Sequence, residues 1–198
     1  MKQIVDYTLS VGPDWHELPV EGTDPYGWAR QIVDDANVQD PAAQLLEARL
    51  RSLAEVVGAR VGRGATAAVW VPVPESGYAA ALMSITVWNR GDGGYTDRDA
   101  FLSQSVDDAI YGTVWDGELP AGPFAARHVV RLRPRDDARD DGAEHDVVEM
   151  TEYAVFPEDA AQFVQILFSA ENVTAFEDMP AQTEAMVHTL GLAYEVAA

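Results

Sequence analysis

The sequence predicts an α/β protein of the α+β kind: a three-layer α/β/α sandwich in which helices cover both faces of a mainly antiparallel central sheet. Three observations carry this. Apolar residues recur at helical spacing after Asp24-Pro25 and again after Asp40-Pro41. The middle of the chain then changes to a period of two in the runs ATAAVWVPV and YAAALMSITVW. The second run is apolar on one side (Ala79, Ala81, Met83, Ile85, Val87) and partly apolar on the other (Tyr78, Leu82, Trp88). A strand apolar on both faces needs a layer of helices on each side. At 198 residues and 47% hydrophobic content, the chain reads as one domain over 1–198, able to bury on the order of 70% of its surface.

The opening QIVDYTLSV alternates as a strand and stops at Gly12-Pro13. Trp15 and His16 begin a short extended piece reaching Val20. Asp24 then caps a helix with proline at its first position, running to about Asn37. A second helix follows Asp40-Pro41, with Leu46, Leu50, Leu53 and Val57 inward and Gly58 as its C-cap. Residues 65–73 and 78–88 are strands joined by the turn Pro74-Glu75-Ser76-Gly77. After a glycine-rich loop, Thr96 is expected to cap a helix with Asp99 reaching back, and Phe101, Leu102, Val106 and Ile110 inward. Long strands are expected at about 124–133 and 146–156, then QFVQILFSA as a last strand. A helix over Glu177–Leu190 closes the chain, with Pro180 in its first turn and Gly191 as stop.

Composition narrows the chemistry. Without cysteine there is no disulfide, thiolate nucleophile or cysteine-ligated metal. The net charge is −20, from 33 acidic against 13 basic residues. That surface repels phosphate backbones and anionic lipid, so nucleic-acid and membrane roles are excluded, and a basic protein partner would be steered toward it. Net charge also serves solubility before any function. The N-terminus carries one lysine and an apolar run interrupted by Asp6, which reads as no export signal and sets a cytoplasmic expectation.

The stretch RPRDDARDDGAEHD, 133–146, invites a calcium reading. With Gly142 at the sixth loop position, Asp137 and Asp141 take the first and fifth. Arg139 then falls at the third and Val148 at the twelfth, where ligands are required. The stretch therefore reads as a hairpin loop, and no metal or other cofactor is expected. On the preceding strand Phe124, Ala126, His128, Val130 and Leu132 share one face, and Arg127, Arg131 and Arg133 the other. Three guanidinium groups could recognise a carboxylate or phosphate; Glu149 and Glu152 across the sheet are their structural alternative. His128 reads as a core histidine and His188 as the i+4 partner of Glu184. Asp14 and His16 outline a carboxylate–imidazole dyad, yet no nucleophile or metal accompanies them. Binding candidates are thus Arg127, Arg131, Arg133, Trp15 and His16, with no catalytic residue assigned.

The strand YTLSV running into Gly-Pro-Asp-Trp, and the ending QFVQILFSAENVTAFEDMPAQTEAMVHTLGL, resemble Mog1/PsbP-like proteins. Pro13, Trp15 and the terminal strand–helix carry the likeness; Asp14 and the helical insertion at 24–60 depart from it. The resemblance implies an antiparallel sheet sandwiched by helices and a binding role, with no shared catalytic set. The expected function is a non-enzymatic binding or accessory protein engaging a protein partner through its acidic surface or a sheet edge. The alternatives are a small hydrolase-type enzyme using Asp14 and His16, and an acidic, immunity-like neutraliser of a basic protein.

Overall fold

The computed structural model describes residues 2–19, 24–58, 65–91, 95–104, 106, 109–134 and 145–196. The strands are β1 (Lys2–Thr8), β2 (Trp15–Glu17), β3 (Ala65–Trp70), β4 (Ala81–Asn89), β5 (Tyr111–Leu119), β6 (Gly122–Pro134), β7 (His145–Val155), β8 (Gln162–Ala170) and β9 (Gly191–Val196). The helices are α1 (Pro25–Asp35), α2 (Ala42–Gly58), α3 (Arg98–Leu102) and α4 (Met179–Val187). The fold is α+β. Seven strands form a sheet in the order β2-β3-β4-β8-β7-β6-β5, and β1 pairs with β9 in a second sheet of two. The pairings β1–β9, β2–β3, β5–β6, β6–β7 and β7–β8 are antiparallel. The chain forms two compact units, Gly12–Ser84 and the combination of Met1–Val11 with Ile85–Ala198.

In the Gly12–Ser84 unit the start signal at Asp24 works as the sequence predicts. The Asp24 carboxylate accepts from the Tyr26 N–H at 3.0 Å, and Pro25 stands in the first turn. Ala29, Ile32 and Val33 of α1 are buried with Leu46, Leu50 and Ala54 of α2 and Ala67 and Val69 of β3. Arg51 of α2 lies over the Tyr26 ring at 4.7 Å. The Asp40–Pro41 peptide is cis, and α2 begins just beyond it.

The larger unit is built on the β6–β7 hairpin and its neighbours. On one face Ala125, Ala154 and Phe163 are buried with Tyr95, Phe156 and Phe101 of α3. The opposite face carries Phe124, Tyr153 and Phe168, whose rings meet. There the Tyr153 hydroxyl lies 2.9 Å from Thr183 Oγ1 of α4 and donates to the Pro180 carbonyl at 3.1 Å. Burial raises the Tyr153 hydroxyl's pKa well above its ordinary value, so this hydroxyl keeps its proton and serves structure.

Three expectations need correction. The helix expected from Thr96 to Ile110 is the five-residue α3. Its cap is Asp97, which accepts from the Ala100 N–H at 2.9 Å; Thr96 lies one position too early to reach that amide. Ile110 is exposed. Strand β5 falls where no element was expected. Finally, Gly191 does not end the last element: it starts β9, which pairs with β1 from Lys2↔Val196 to Thr8↔Gly191.

Candidate functional site

Arg127 and Glu152 stand directly opposite each other in the β6–β7 register. Glu152 is buried, and Arg127 Nε and Nη2 donate to its Oε2 at 2.7 and 2.5 Å. Gln165 Nε2 donates to Glu152 Oε1 at 2.5 Å, and Gln165 Oε1 accepts from Trp88 Nε1 at 2.8 Å. Arg127 also donates to Gln104 Oε1 at 3.2 Å and to the Tyr95 hydroxyl at 3.3 Å, and its guanidinium lies over the Phe101 ring. Burial, then the Glu152 charge, raises the Tyr95 pKa. Both oxygens of the carboxylate are thus occupied. This is an internal ion pair holding α3, β6, β7 and β8 together, and it takes up the guanidinium of Arg127.

The expected pairing of Glu149 with the arginine row does not form. Glu149 and Glu152 are three residues apart on one strand and so lie on opposite faces. Glu149 Oε1 instead lies 2.9 Å from His128 Nε2, within hydrogen-bond distance, and both side chains are buried. The Tyr111 ring meets His128 edge-on. Glu149 Oε2 and Thr151 Oγ1 are sealed from solvent without a hydrogen-bond partner among the described residues. Of the other arginines, Arg131 is exposed, and Arg133 pairs with Glu171 at 2.6 Å and Asp146 at 3.8 Å. Gln104, Tyr95 and Gln165 are the partners that sequence reasoning missed; no local spacing marks them.

Trp15 and His16 belong to the Gly12–Ser84 unit, whereas the three arginines belong to the other. Trp15 is buried and stacks on Trp70 at 6.0 Å between centroids, its direct register partner. His16 is half-buried, and its pKa is lowered. Burial is the largest cause, opposed by the charges of Asp14 and Asp35. Asp14 sits in the turn before β2, where its carbonyl accepts from the Val71 N–H at 2.9 Å.

An open groove of about 560 Å³ lies in the larger unit. Asp97, Asp99, Glu118, Glu158 and Asp159 line it, with Arg90 and Arg98 as the cations and Pro123 and Phe156 as apolar lining. Both cations are already engaged. Arg98 pairs with Asp116 at 3.1 Å; Arg90 donates to the Pro157 carbonyl at 2.9 Å and lies over the Phe156 ring. The Ala100 N–H holds the Asp97 carboxyl below the usual carboxylate range.

Among the described residues, no group of three or more His, Asp and Glu side chains is placed to hold a metal ion, and no helix is long and apolar enough to cross a membrane. Asp137, Asp141 and Gly142 of the rejected calcium loop lie outside the described residues. No family model matches the chain, and no curated protein matches it.

Proposed function

We propose that this chain is a non-enzymatic binding or accessory protein that engages a basic protein partner through its acidic surface. The observation that carries the reading is the groove of the larger unit. Five carboxylates line it against two guanidiniums, and each guanidinium already has a partner within the chain. What the groove offers an incoming segment is therefore acceptor oxygens and negative potential beside the apolar lining of Pro123 and Phe156. Such a wall favours lysine and arginine and steers their approach.

The arginine row supports anion binding less well, because Arg127 and Arg133 are paired with carboxylates inside the chain. The hydrolase reading built on Asp14 and His16 also has less behind it, since burial outweighs either carboxylate at His16. The resemblance to Mog1/PsbP-like proteins, and a three-layer sandwich of that kind, belong to this proposal. The antiparallel sheet and the succession β8, α4 support it, with β9 as an addition after the closing helix.

The test is capture of partners from native lysate at low and moderate salt, with the unaltered protein and two variants. Glu118→Lys/Glu158→Lys reverses two groove charges; Glu55→Lys/Glu195→Lys reverses two charges elsewhere. A stoichiometric basic partner that is lost with added salt and with the groove variant, but kept by the control variant, is the expected result. Equal capture by both variants, or no partner at either salt, overturns the reading.

A further inference from the structure

We propose that β5 is a docking strand, whose outer edge takes an extended basic segment of the partner as an added strand of the sheet. This rests on the reading that the partner is basic and specifies how it is held.

Strand β5 is the last in the sheet order, so among the described residues one side of its backbone has no neighbouring strand. An exposed edge is a template for another strand, and proteins normally blunt it with short length, charged side chains, proline or a bulge. The other end of the sheet follows that rule: β2 has three residues. Strand β5 has nine residues, YGTVWDGEL, with no lysine, arginine or proline. Its charges, Asp116 and Glu118, are of one sign, so they repel an acidic strand and leave the edge open to a basic one. Its register with β6 runs unbroken from Tyr111↔Val130 to Leu119↔Gly122. Tyr111 and Val114 are exposed on it and offer apolar contact to an incoming chain.

Charge selects the occupant. Asp116 and Glu118 are two residues apart and so share a face with Val114. Glu118 also lines the acidic groove, so edge and groove are continuous. Asp116 is already paired with Arg98, so a strand with arginine or lysine at alternate positions sets its cation beside Glu118 and the groove carboxylates, and opposite charges across a sheet are stabilising. A second copy of this chain is a poor fit. Two-fold antiparallel pairing of β5 with itself over its full length sets Asp116 against Val114 and Glu118 against Gly112, so neither carboxylate meets a cation, and the two molecules each carry a net charge of −20.

The probe is a synthetic peptide as long as β5 that alternates arginine with valine. Two versions carry backbone N-methyl groups, one on the odd and one on the even residues. A fourth peptide has the same composition with its arginines clustered. Binding to the full chain is measured by calorimetry at low salt, with hydrogen exchange of the β5 amides. Methylation removes N–H donors without touching charge, and an added strand uses only one parity of its N–H groups.

The expected result is a loss of affinity of about tenfold or more for one methylated peptide. The other binds as the parent does, the clustered peptide binds more weakly, and the β5 amides exchange more slowly in the complex. If both methylated peptides bind like the parent and β5 exchange is unchanged, strand addition is wrong while the basic-partner reading stands. If the parent peptide fails to bind, both fall. Sedimentation showing dimers with β5 protected would replace the basic peptide by a second copy.

Discussion

Glu152→Gln keeps the shape of a buried side chain and removes its charge. In the native protein Oε2 accepts twice from Arg127, while Oε1 accepts from Gln165 with the Tyr95 hydroxyl nearby. An amide must replace one of these oxygens by a donor. Turned toward Arg127, it faces two N–H groups with none to accept them. Turned toward Gln165, it forces that side chain to flip and give up the Trp88 indole. Removing one partner of a buried pair costs about 3–5 kcal/mol. Arg127 keeps 24% of its side chain in solvent and can partly rehydrate, which sets the expectation near the lower end, about 3 kcal/mol. Urea unfolding followed by tryptophan fluorescence measures it. With a slope of ~2 kcal/mol per molar, the midpoint falls by about 1.5 M. The double replacement Arg127→Met/Glu152→Leu removes both charges and should return to within about 1 kcal/mol of the native protein. A loss below about 1 kcal/mol for Glu152→Gln, or a double variant worse than the single one, refutes the argument that this carboxylate is held by its partners.

Other perturbations test other parts of the fold. Gly122 has φ +133, and a Cβ there would stand 2.9 Å from the Pro157 Cα, so Gly122→Ala should lower stability by about 2 kcal/mol or more in the same assay. Asp24→Ala should cost about 1 kcal/mol through loss of the α1 cap. Gly27→Ala would ordinarily gain about 1 kcal/mol of helix propensity; its Cβ would lie 2.8 Å from the Asp24 carboxylate, so the gain should be largely cancelled, and appear only in an Asp24→Ala background. His16 has a folded pKa below its ordinary 6.5. The unfolded chain therefore binds a proton that the folded chain resists, and the contribution of His16 is present above pH 6.5 and lost as pH falls below it. Urea midpoints at about pH 7.5 and about pH 5.5 should diverge more for the native protein than for His16→Asn, and equal slopes would count against the assignment.

Much of the sheet was legible because alternation survives in it. QFVQILFSA matches β8 from end to end, and β6 and β7 lie within two residues of their expected bounds. The strand β5 was not legible, because Gly112, Asp116, Gly117 and Glu118 are poor strand formers. The structure supplies the reason for the two glycines. A Cβ at Gly112 would meet Val106 at 2.8 Å, and one at Gly117 would meet the Phe124 ring at 2.7 Å. Those neighbours come from outside the strand, so no local pattern announces them. The stripe Phe101, Leu102, Val106, Ile110 looked helical for a related reason: Val106 packs against Gly112 rather than continuing a helix. The network at Glu152 draws on Trp88, Tyr95, Gln104, Arg127 and Gln165, five positions without common spacing. Only the division of Glu149 from Glu152 was open to sequence reasoning, through strand parity alone.

The pairing of β1 with β9 sets a timetable for the chain as it is made. Lys2 meets Val196 and Thr8 meets Gly191, so β1 must wait until β9 has been made. At ~5–20 residues per second that wait is on the order of 10–40 s. The Gly12–Ser84 unit is contiguous in sequence and can close during that interval. Throughout it β1 is an unpaired strand on a nascent chain, and its charged positions, Lys2 and Asp6, stand where they hinder pairing with the wrong edge.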